Sequence, residues 1–130
     1  MKQVFKRKNL HLLISLVIVL PAALIYGLFP SISIPYFLDF EVESVDLKSI
    51  FRAIMGLYIG ITLIWLLGVF KSKYWDLATL CNIVFMGGIG LGRLLGVFID
   101  GIPSPVFSLG IVGELGLSFF AYYQWRRYSE

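Results

Sequence analysis

Four long apolar stretches dominate the sequence and restrict what it can fold into. They cover roughly residues 10–29, 48–70, 75–99 and 104–125. About 20 consecutive apolar residues are enough for an α-helix to cross the hydrocarbon core of a bilayer. With 58% hydrophobic and only 15% charged residues, the chain is too apolar for a soluble domain of this size. The sequence therefore predicts an integral membrane protein.

Short connections separate the second, third and fourth stretches, and short connections make consecutive helices antiparallel. We predict an all-α fold, an up-down-up-down four-helix bundle, with residues 1–130 forming a single membrane domain. The one outer loop of appreciable length is residues 30–47. Pro30 and Pro35 argue against a continuous helix at its start. We expect the loop to lie on the outer membrane surface as a cap.

The placement of lysine and arginine predicts how the helices are oriented, because basic residues concentrate on the cytoplasmic side of membrane proteins. One side of the four-span topology carries eight basic residues: Lys2, Lys6, Arg7, Lys8, Lys71, Lys73, Arg126 and Arg127. The other side carries Asp39, Glu41, Glu43, Asp46 and Asp100, with Lys48 as its one basic residue. We therefore predict that both termini are cytoplasmic.

Three ionisable residues lie inside the predicted spans: Arg52 in the second, Arg93 in the third and Glu114 in the fourth. A charge at the bilayer centre costs at least about 2.5–3.5 kcal/mol on insertion scales. We therefore predict that these side chains meet in one outward-facing polar site. Helical spacing places Asn82 and Asp100 near the same line of span three as Arg93. The full predicted polar set is Arg52, Tyr58, Asn82, Arg93, Asp100 and Glu114.

This polar set has two interpretations. In the first, an Arg–Glu–Arg or Arg–Asp network fixes the register of the helices. In the second, an outward-facing pocket uses the arginines to hold an anionic group, because arginine suits bidentate recognition of carboxylates and phosphates. The candidate ligands are lipid head groups, isoprenoid phosphates and fatty acids. Membrane lipid or another anionic amphipathic molecule is thus the expected partner.

The segment from Asp100 to Ser104, with the sequence DGIPS, is predicted to be a tight turn. Gly101 would supply a backbone conformation open to few other residues. Ser104 would cap the first amides of the fourth helix. We expect Asp100 to hydrogen-bond an arginine or the amides of the turn, and so to close the polar site from outside.

Glycines recur at four-residue intervals in the second and third spans and at a three-residue interval in the fourth. The set comprises Gly56, Gly60, Gly88, Gly92, Gly96, Gly110 and Gly113. Helices in lipid associate through close packing, and small residues therefore mark their contacts. We predict that these glycines pack the bundle together. The alternative is that one stripe forms a homodimer or binds another membrane protein.

The sequence lacks the motifs of catalytic, metal-binding and nucleic-acid-binding sites. A single cysteine, Cys81, excludes an intrachain disulfide and a cysteine-based metal site. The sole histidine, His11, lies at the start of span one and is expected at the membrane interface. Basic residues at membrane edges do not point to nucleic acid. We predict no metal, no cofactor and no catalytic residue.

The chain contains, in this order, Arg52-Ala53-x-x-Gly56-Leu57-Tyr58-x-Gly60, Gly88-x-Gly90-x-Gly92-Arg93-Leu94, Asp100-Gly101-x-Pro103-Ser104 and Glu114-Leu115. This linked pattern resembles a bacterial family of small four-helix membrane proteins, which is defined by the domain of unknown function numbered 4345. The likeness covers roughly residues 48–125. It implies a four-helix architecture and a location in the bacterial inner (plasma) membrane, and it implies no reaction.

The sequence thus favours a non-enzymatic bacterial inner-membrane protein. Its polar site around Arg52, Arg93 and Glu114 would bind a lipid-like or anionic amphipathic ligand, or a membrane partner. A small transporter or exporter is the alternative, and a membrane-embedded enzyme is a weaker one. A polar route past Glu114 to the cytoplasm would favour transport, but the inner halves of the spans read as almost wholly apolar.

Overall fold

The computed structural model describes residues 2–129, which form five α-helices and no β-strand. The helices are α1 (Leu10–Gly27), α2 (Pro30–Phe37), α3 (Val45–Phe70), α4 (Trp75–Asp100) and α5 (Pro105–Tyr128). Short 3-10 helices, Arg7–Asn9 and Ser72–Tyr74, precede α1 and α4. Four of the α-helices, all except α2, are long and apolar enough to cross a membrane. The predicted all-α membrane fold class is confirmed.

Helix α3 begins before the apolar stretch that predicts it. The backbone N–H of Leu47 donates to the hydroxyl of Ser44 at 3.1 Å, and the N–H of Lys48 donates to the Ser44 carbonyl at 3.1 Å. Ser44 therefore satisfies amides of the first turn, as an N-cap serine does. Asp46 adds a negative charge at the same end, where the helix dipole favours it. The first helical turn is thus stabilised by polar residues outside the apolar stretch.

The expectation that Pro30 and Pro35 prevent a helix at the start of the loop is wrong, because both prolines lie in helix α2. Pro30 occupies the first turn, where its missing N–H needs no intrahelical partner. Pro35 lies inside the helix, but the helix is only eight residues long and ends two residues later. The hydroxyl of Ser33 lies 2.8 Å from the carbonyl oxygen of Ile25 and 2.7 Å from that of Phe29. This hydroxyl therefore ties α2 to the end of α1.

The chain divides into two compact units. The α2 unit is Leu16–Leu63, and the α4–α5 unit is the chain up to Ser15 together with the chain from Ile64 onward. In the α2 unit, Ile34 and Val42 are buried. The ring of Phe51 stacks on Tyr26 and on Phe40, with centroid separations of 5.8 and 6.1 Å. Apolar and aromatic side chains thus hold the segment after α2 against the first turns of α3.

In the α4–α5 unit, α4 and α5 pack antiparallel at close range. A Cβ at Gly90 would lie 2.7 Å from Cδ2 of Leu115, and a Cβ at Gly87 would lie 2.9 Å from Oγ of Ser118. The Ser118 hydroxyl also donates to the Ile83 carbonyl at 2.8 Å. Glycines on α4 therefore let α5 approach closely, as small residues do where membrane helices meet.

One end of this unit, which we call the basic end, joins the start of α1, the start of α4 and the end of α5. The indole nitrogen of Trp75 donates to the Lys8 carbonyl at 3.3 Å, and the Gln124 amide donates to the Arg7 carbonyl at 2.6 Å. The hydroxyl of Ser129 donates to Oδ1 of Asp76 at 2.7 Å. The basic end includes Lys2, Lys6, Arg7, Lys8, Lys71, Lys73, Arg126 and Arg127.

Candidate functional site

An ion pair between Arg93 and Glu114 is the centre of the candidate site. Nη1 of Arg93 lies 3.0 Å from Oε1 of Glu114, and the two side chains are 25% and 15% exposed. A Cβ at Gly110 would lie only 2.7 Å from the same Nη1, so the absence of a side chain there makes room for the guanidinium. The predicted pairing of these two charges is present in the structure.

Arg93 also contacts an aromatic ring. Its guanidinium carbon lies 5.2 Å from the ring centroid of Phe107, which is on α5 one turn before Ile111. That distance is within the range of a cation–π interaction. The guanidinium is therefore oriented by a carboxylate and a ring of the same helix. The second carboxylate oxygen of Glu114, Oε2, is buried and accepts no hydrogen bond from the described residues.

A cleft of about 300 Å³ opens beside this pair, where α4 ends and α5 begins. It is lined by Arg93, Gly96, Val97, Asp100, Gly101, Pro103 and Phe107. One cation and one carboxylate thus face the cleft, and most of its remaining wall is apolar or glycine. This composition is typical of a pocket in which a few polar groups orient a mainly apolar ligand.

The turn beside the cleft has the backbone conformation predicted for Gly101, but not the side-chain hydrogen bonds predicted for Ser104 and Asp100. Gly101 has φ +101° and ψ −177°, a backbone conformation almost exclusive to glycine. Ser104 precedes α5, but its side chain makes no capping hydrogen bond. The hydroxyl of Ser108 instead donates to the Pro103 carbonyl at 3.0 Å. The predicted cap by Ser104 is therefore wrong, and the Ser108 hydroxyl does not replace it, because it donates to a carbonyl and does not accept from the first amides of α5.

Asp100 is exposed, and the structure gives it no hydrogen bond within residues 2–129. The predicted hydrogen bond from an arginine or a turn amide is therefore wrong. The carboxylate nonetheless turns back along α4, because a Cβ at Gly96 would lie 3.8 Å from its Oδ2. Asp100 and Arg93 line the same cleft. The carboxylate is thus part of the cleft rim.

Arg52 and Tyr58 belong to the α2 unit. Nη1 of Arg52 donates to the carbonyls of Gly27 and Leu28 at 2.9 and 3.2 Å. These oxygens end α1, where a cation is favoured by the helix dipole. Tyr58 packs its ring edge-on to Tyr26 at 5.9 Å. The predicted meeting of Arg52 and Tyr58 with the Arg93–Glu114 pair stays a prediction.

Asn82, the remaining member of the predicted set, lies in a second polar region nearer the basic end. It is completely buried, and neither Oδ1 nor Nδ2 has a hydrogen-bond partner within the described chain. One turn earlier on α4, Oγ1 of Thr79 lies 3.0 Å from Nε2 of His11. His11 is also completely buried, with its ring edge-on to Trp75 and Phe120. The expectation that His11 lies at the level of the membrane interface stays a prediction, and its side chain is packed inside the protein.

The heights of these residues follow from the register of α1 against α4. Trp75 bonds to Lys8 and Thr79 to His11, so both helices run in the same direction. Asn82 comes three residues after Thr79, and Ser15 comes four residues after His11. At 1.5 Å per residue, these two side chains lie at about the same height. The hydroxyl of Ser15 is likewise buried and without a partner in residues 2–129.

The sequence analysis named Asn82 but missed the rest of this second polar region. The signal was present as a polar stripe at helical spacing, namely Thr79 and Asn82 on α4 with His11 and Ser15 on α1. Hydrophobicity averaged over a span hides such a stripe, because the other faces of the helix are apolar. The expectation of almost wholly apolar inner halves is wrong for this unit.

The glycines that pack closely are mostly different from those predicted. Of the predicted set, Gly110 meets Arg93, and Gly96 meets only the carboxylate of Asp100. A Cβ at any of the other five would have open space within 4 Å: Gly56, Gly60, Gly88, Gly92 and Gly113. On α4, Gly87 and Gly90 face α5, and the 100° step per residue places Gly88 and Gly92 on another face. A role of those glycines in a homodimer stays a prediction.

The side chains of the two polar regions limit the groups that they can bind. Residues 2–129 contain no group of three or more His, Cys, Asp or Glu side chains arranged to hold a metal ion. Arg93 can hold a carboxylate or phosphate oxygen, and the Glu114 and Asp100 carboxylates can accept hydrogen bonds from hydroxyl or ammonium groups. The apolar wall beside them can take a hydrocarbon group.

The family model of the Domain of unknown function (DUF4345) matches residues 8–124. No curated protein and no solved structure matches the chain. The family match covers nearly all of the described chain and includes α1, which lies outside the sequence resemblance over residues 48–125. Both polar regions fall within it. The chain therefore belongs to the family that is defined by this domain of unknown function.

Proposed function

We propose that this protein is a non-enzymatic protein of the bacterial inner membrane that binds a lipid-like amphipathic molecule in the cleft beside Arg93. The observation that carries the proposal is a mostly buried guanidinium lining an apolar cleft of about 300 Å³. An arginine in a membrane span is costly unless it has a structural or functional partner. Glu114 balances its charge, and the cleft gives it access to a ligand.

The charged residues at the cleft restrict the kind of head group that it can bind. Arg93 and Glu114 form a neutral pair, and Asp100 then adds a negative charge at the rim. A head group that is only anionic would bind Arg93 and meet repulsion from Asp100. A head group with an anionic centre and a hydroxyl or ammonium group satisfies both residues. A zwitterionic phospholipid head group is therefore the preferred ligand.

The cleft volume agrees with a head group and not with a whole lipid. About 300 Å³ is at the lower end of the range for small-molecule pockets. The hydrocarbon chains would lie outside, along the start of α5, where Val106 and Leu109 are exposed. The eight basic residues of the basic end support an orientation with that end cytoplasmic and the cleft in the outer leaflet.

Filling the cleft without touching the ion pair tests this proposal. Gly96→Leu puts a side chain into the cleft, and Gly92→Leu makes the same change one turn earlier, where the structure has open space. Each variant is purified with its native lipids, and the retained lipids are identified by mass spectrometry. We expect wild type and Gly92→Leu to retain one head-group class that Gly96→Leu loses. Equal lipid retention by all three proteins would contradict the proposal.

A small transporter is the second candidate, and the buried polar region of His11, Thr79 and Asn82 favours it. These residues lie on the basic side of the Arg93–Glu114 pair, and Ser118 on α5 lies between the two regions along the helix. An ionisable residue such as His11 inside a membrane span often marks a proton or substrate pathway. Proteoliposomes with a trapped pH-sensitive dye test this candidate. Proton flux above that of empty vesicles, abolished by Asn82→Leu, would support it, and no flux would exclude proton-coupled transport.

A further inference from the structure

A second cleft lies at the basic end, about 250 Å³ in volume and outside the site described above. It is lined by Lys8, Ser72, Lys73, Trp75, Asp76 and Tyr128. We propose that this cleft binds the phosphate of an anionic phospholipid. The proposal does not depend on the function of the Arg93 cleft. Trp75 and Asp100 are 25 residues apart on one helix, which corresponds to about 37 Å.

The walls of this cleft are held in place by three chain segments. The indole nitrogen of Trp75 donates to the Lys8 carbonyl, and Nζ of Lys8 returns over the Trp75 ring at 5.2 Å. Oγ of Ser72 accepts a hydrogen bond from Nε2 of Gln3 at 2.7 Å. The hydroxyl of Ser129 holds the carboxylate of Asp76. The cleft is therefore formed by the fold and not by loose surface side chains.

The electrostatics of the cleft favour a phosphate. Lys8 and Lys73 supply two ammonium groups, and Asp76 is the one acidic residue among the residues that line it. Helix α4 begins at Trp75, and the start of a helix is the positive end of its dipole. Exposed Arg7 and Arg126 raise the local potential further. A phosphodiester, with one negative charge, complements this net positive surface.

The surroundings favour a lipid over free phosphate. Helix α4 starts its apolar span at Trp75, and its next outward-facing residues, Leu77 and Leu80, are exposed. A phosphate in the cleft is therefore level with the start of the hydrocarbon-facing surface, as it is in a bilayer. Trp75 and Tyr128 provide the aromatic side chains that prefer the head-group region. Basic pockets on the cytoplasmic side of membrane proteins bind anionic head groups, and the basic end is the end that we propose to be cytoplasmic.

Two charge-matched double variants test the proposal in nanodiscs. Lys8→Gln/Lys73→Gln removes the lysines of the cleft, and Lys6→Gln/Lys71→Gln removes two lysines of the same end outside it. Binding of phosphatidylglycerol added to phosphatidylcholine nanodiscs is measured by native mass spectrometry. Each lysine near an anionic lipid contributes about fivefold in affinity, so the cleft variant should lose roughly 25-fold. The control variant should lose much less.

Three outcomes would overturn the proposal. Equal losses in the two variants would show diffuse attraction to the membrane surface. Unchanged affinity in the cleft variant would show that the lysines do not hold the phosphate. Inorganic phosphate that displaces the lipid at millimolar concentration would show a site for free phosphate. Should the double variant fail to fold, Lys73→Gln alone is compared with Lys71→Gln, since both lysines are exposed.

Discussion

Gly110 lies directly against the guanidinium of Arg93, which a Cβ at that position would approach to 2.7 Å. Glu114 follows one turn later on α5. The lack of a side chain at Gly110 leaves room for the guanidinium, and the Glu114 carboxylate binds it. The group in contact is the flexible end of a long side chain, so an added methyl would displace it without disrupting the backbone. This relationship makes the Arg93–Glu114 pair testable by a change at a third residue.

The first prediction is that Gly110→Ala weakens the ion pair, whereas Gly113→Ala does not. Gly113 has open space around its Cβ position, so it reports only the higher helix propensity of alanine. We expect Gly110→Ala to be less stable than Gly113→Ala by about 1–2 kcal/mol, the scale of a charge-assisted hydrogen bond. Equilibrium unfolding in mixed micelles measures the difference. Identical free energies of unfolding would show that the guanidinium keeps its bond elsewhere.

The second prediction concerns the charges themselves. Arg93→Leu leaves the Glu114 carboxylate mostly buried without its cation and should lower the free energy of unfolding by about 2–3 kcal/mol. Glu114→Gln removes the remaining charge and should partly rescue that loss. A double-mutant cycle should give a coupling energy of about 1–2 kcal/mol. Strictly additive effects would mean that the two residues act independently.

The third prediction contrasts two polar residues of α4. Thr79→Val removes the hydroxyl beside Nε2 of His11 and should destabilise the protein by about 1 kcal/mol. Asn82→Leu removes a buried amide whose two polar atoms lack partners in the described chain, and should stabilise the protein by about 1–2 kcal/mol. Thermal unfolding of both variants checks the opposite signs. A destabilised Asn82→Leu protein would contradict this account of the amide.

The fourth prediction is that Gly101→Ala strains the turn before α5. With φ at +101° and ψ at −177°, the backbone occupies a region that costs a non-glycine residue about 1–3 kcal/mol. Gly113→Ala again serves as the control, since it lies inside α5 with open space. The Gly101→Ala protein should have a lower free energy of unfolding than the Gly113→Ala protein. A Gly101→Ala protein as stable as wild type would mean that the turn readily adopts another conformation.

The fifth prediction concerns topology. A reporter that is active only outside the cytoplasm should be inactive when fused after Arg127 and active when fused within residues 38–44. The physical reason is the concentration of basic residues at one end of the spans, since positive charge resists translocation. A fusion after Lys71 is the control and should be inactive. Activity at Arg127 would reverse the predicted orientation.

Much of the fold follows from properties that a sequence displays directly. Apolar length predicts the four long helices, since any such segment must satisfy its own backbone in lipid. The helix boundaries depend on single polar residues, and α3 starts three residues before its apolar stretch because Ser44 caps it. Helix α2 was missed because the first-turn position makes Pro30 compatible with a helix.

The candidate site was predictable where charge is scarce. Arg93 and Glu114 stand out in apolar helices, and each is expensive without the other. The side-chain details were not predictable, because they depend on which faces of the helices meet. Gly87 and Gly90 face α5 although Gly88 and Gly92 show the more regular spacing. The bond between His11 and Thr79 joins residues 68 positions apart, which local patterns do not reveal.

The Arg93–Glu114 pair also bears on how the chain is assembled in the membrane during synthesis. The two residues lie on consecutive helices that are joined by residues 101–104 alone. A ribosome therefore delivers the arginine and then, 21 residues later, the carboxylate that neutralises it. If α4 and α5 leave the insertion machinery as one hairpin, neither helix crosses into lipid with a bare charge. The short turn at Gly101 then limits the time during which Arg93 lacks its counterion.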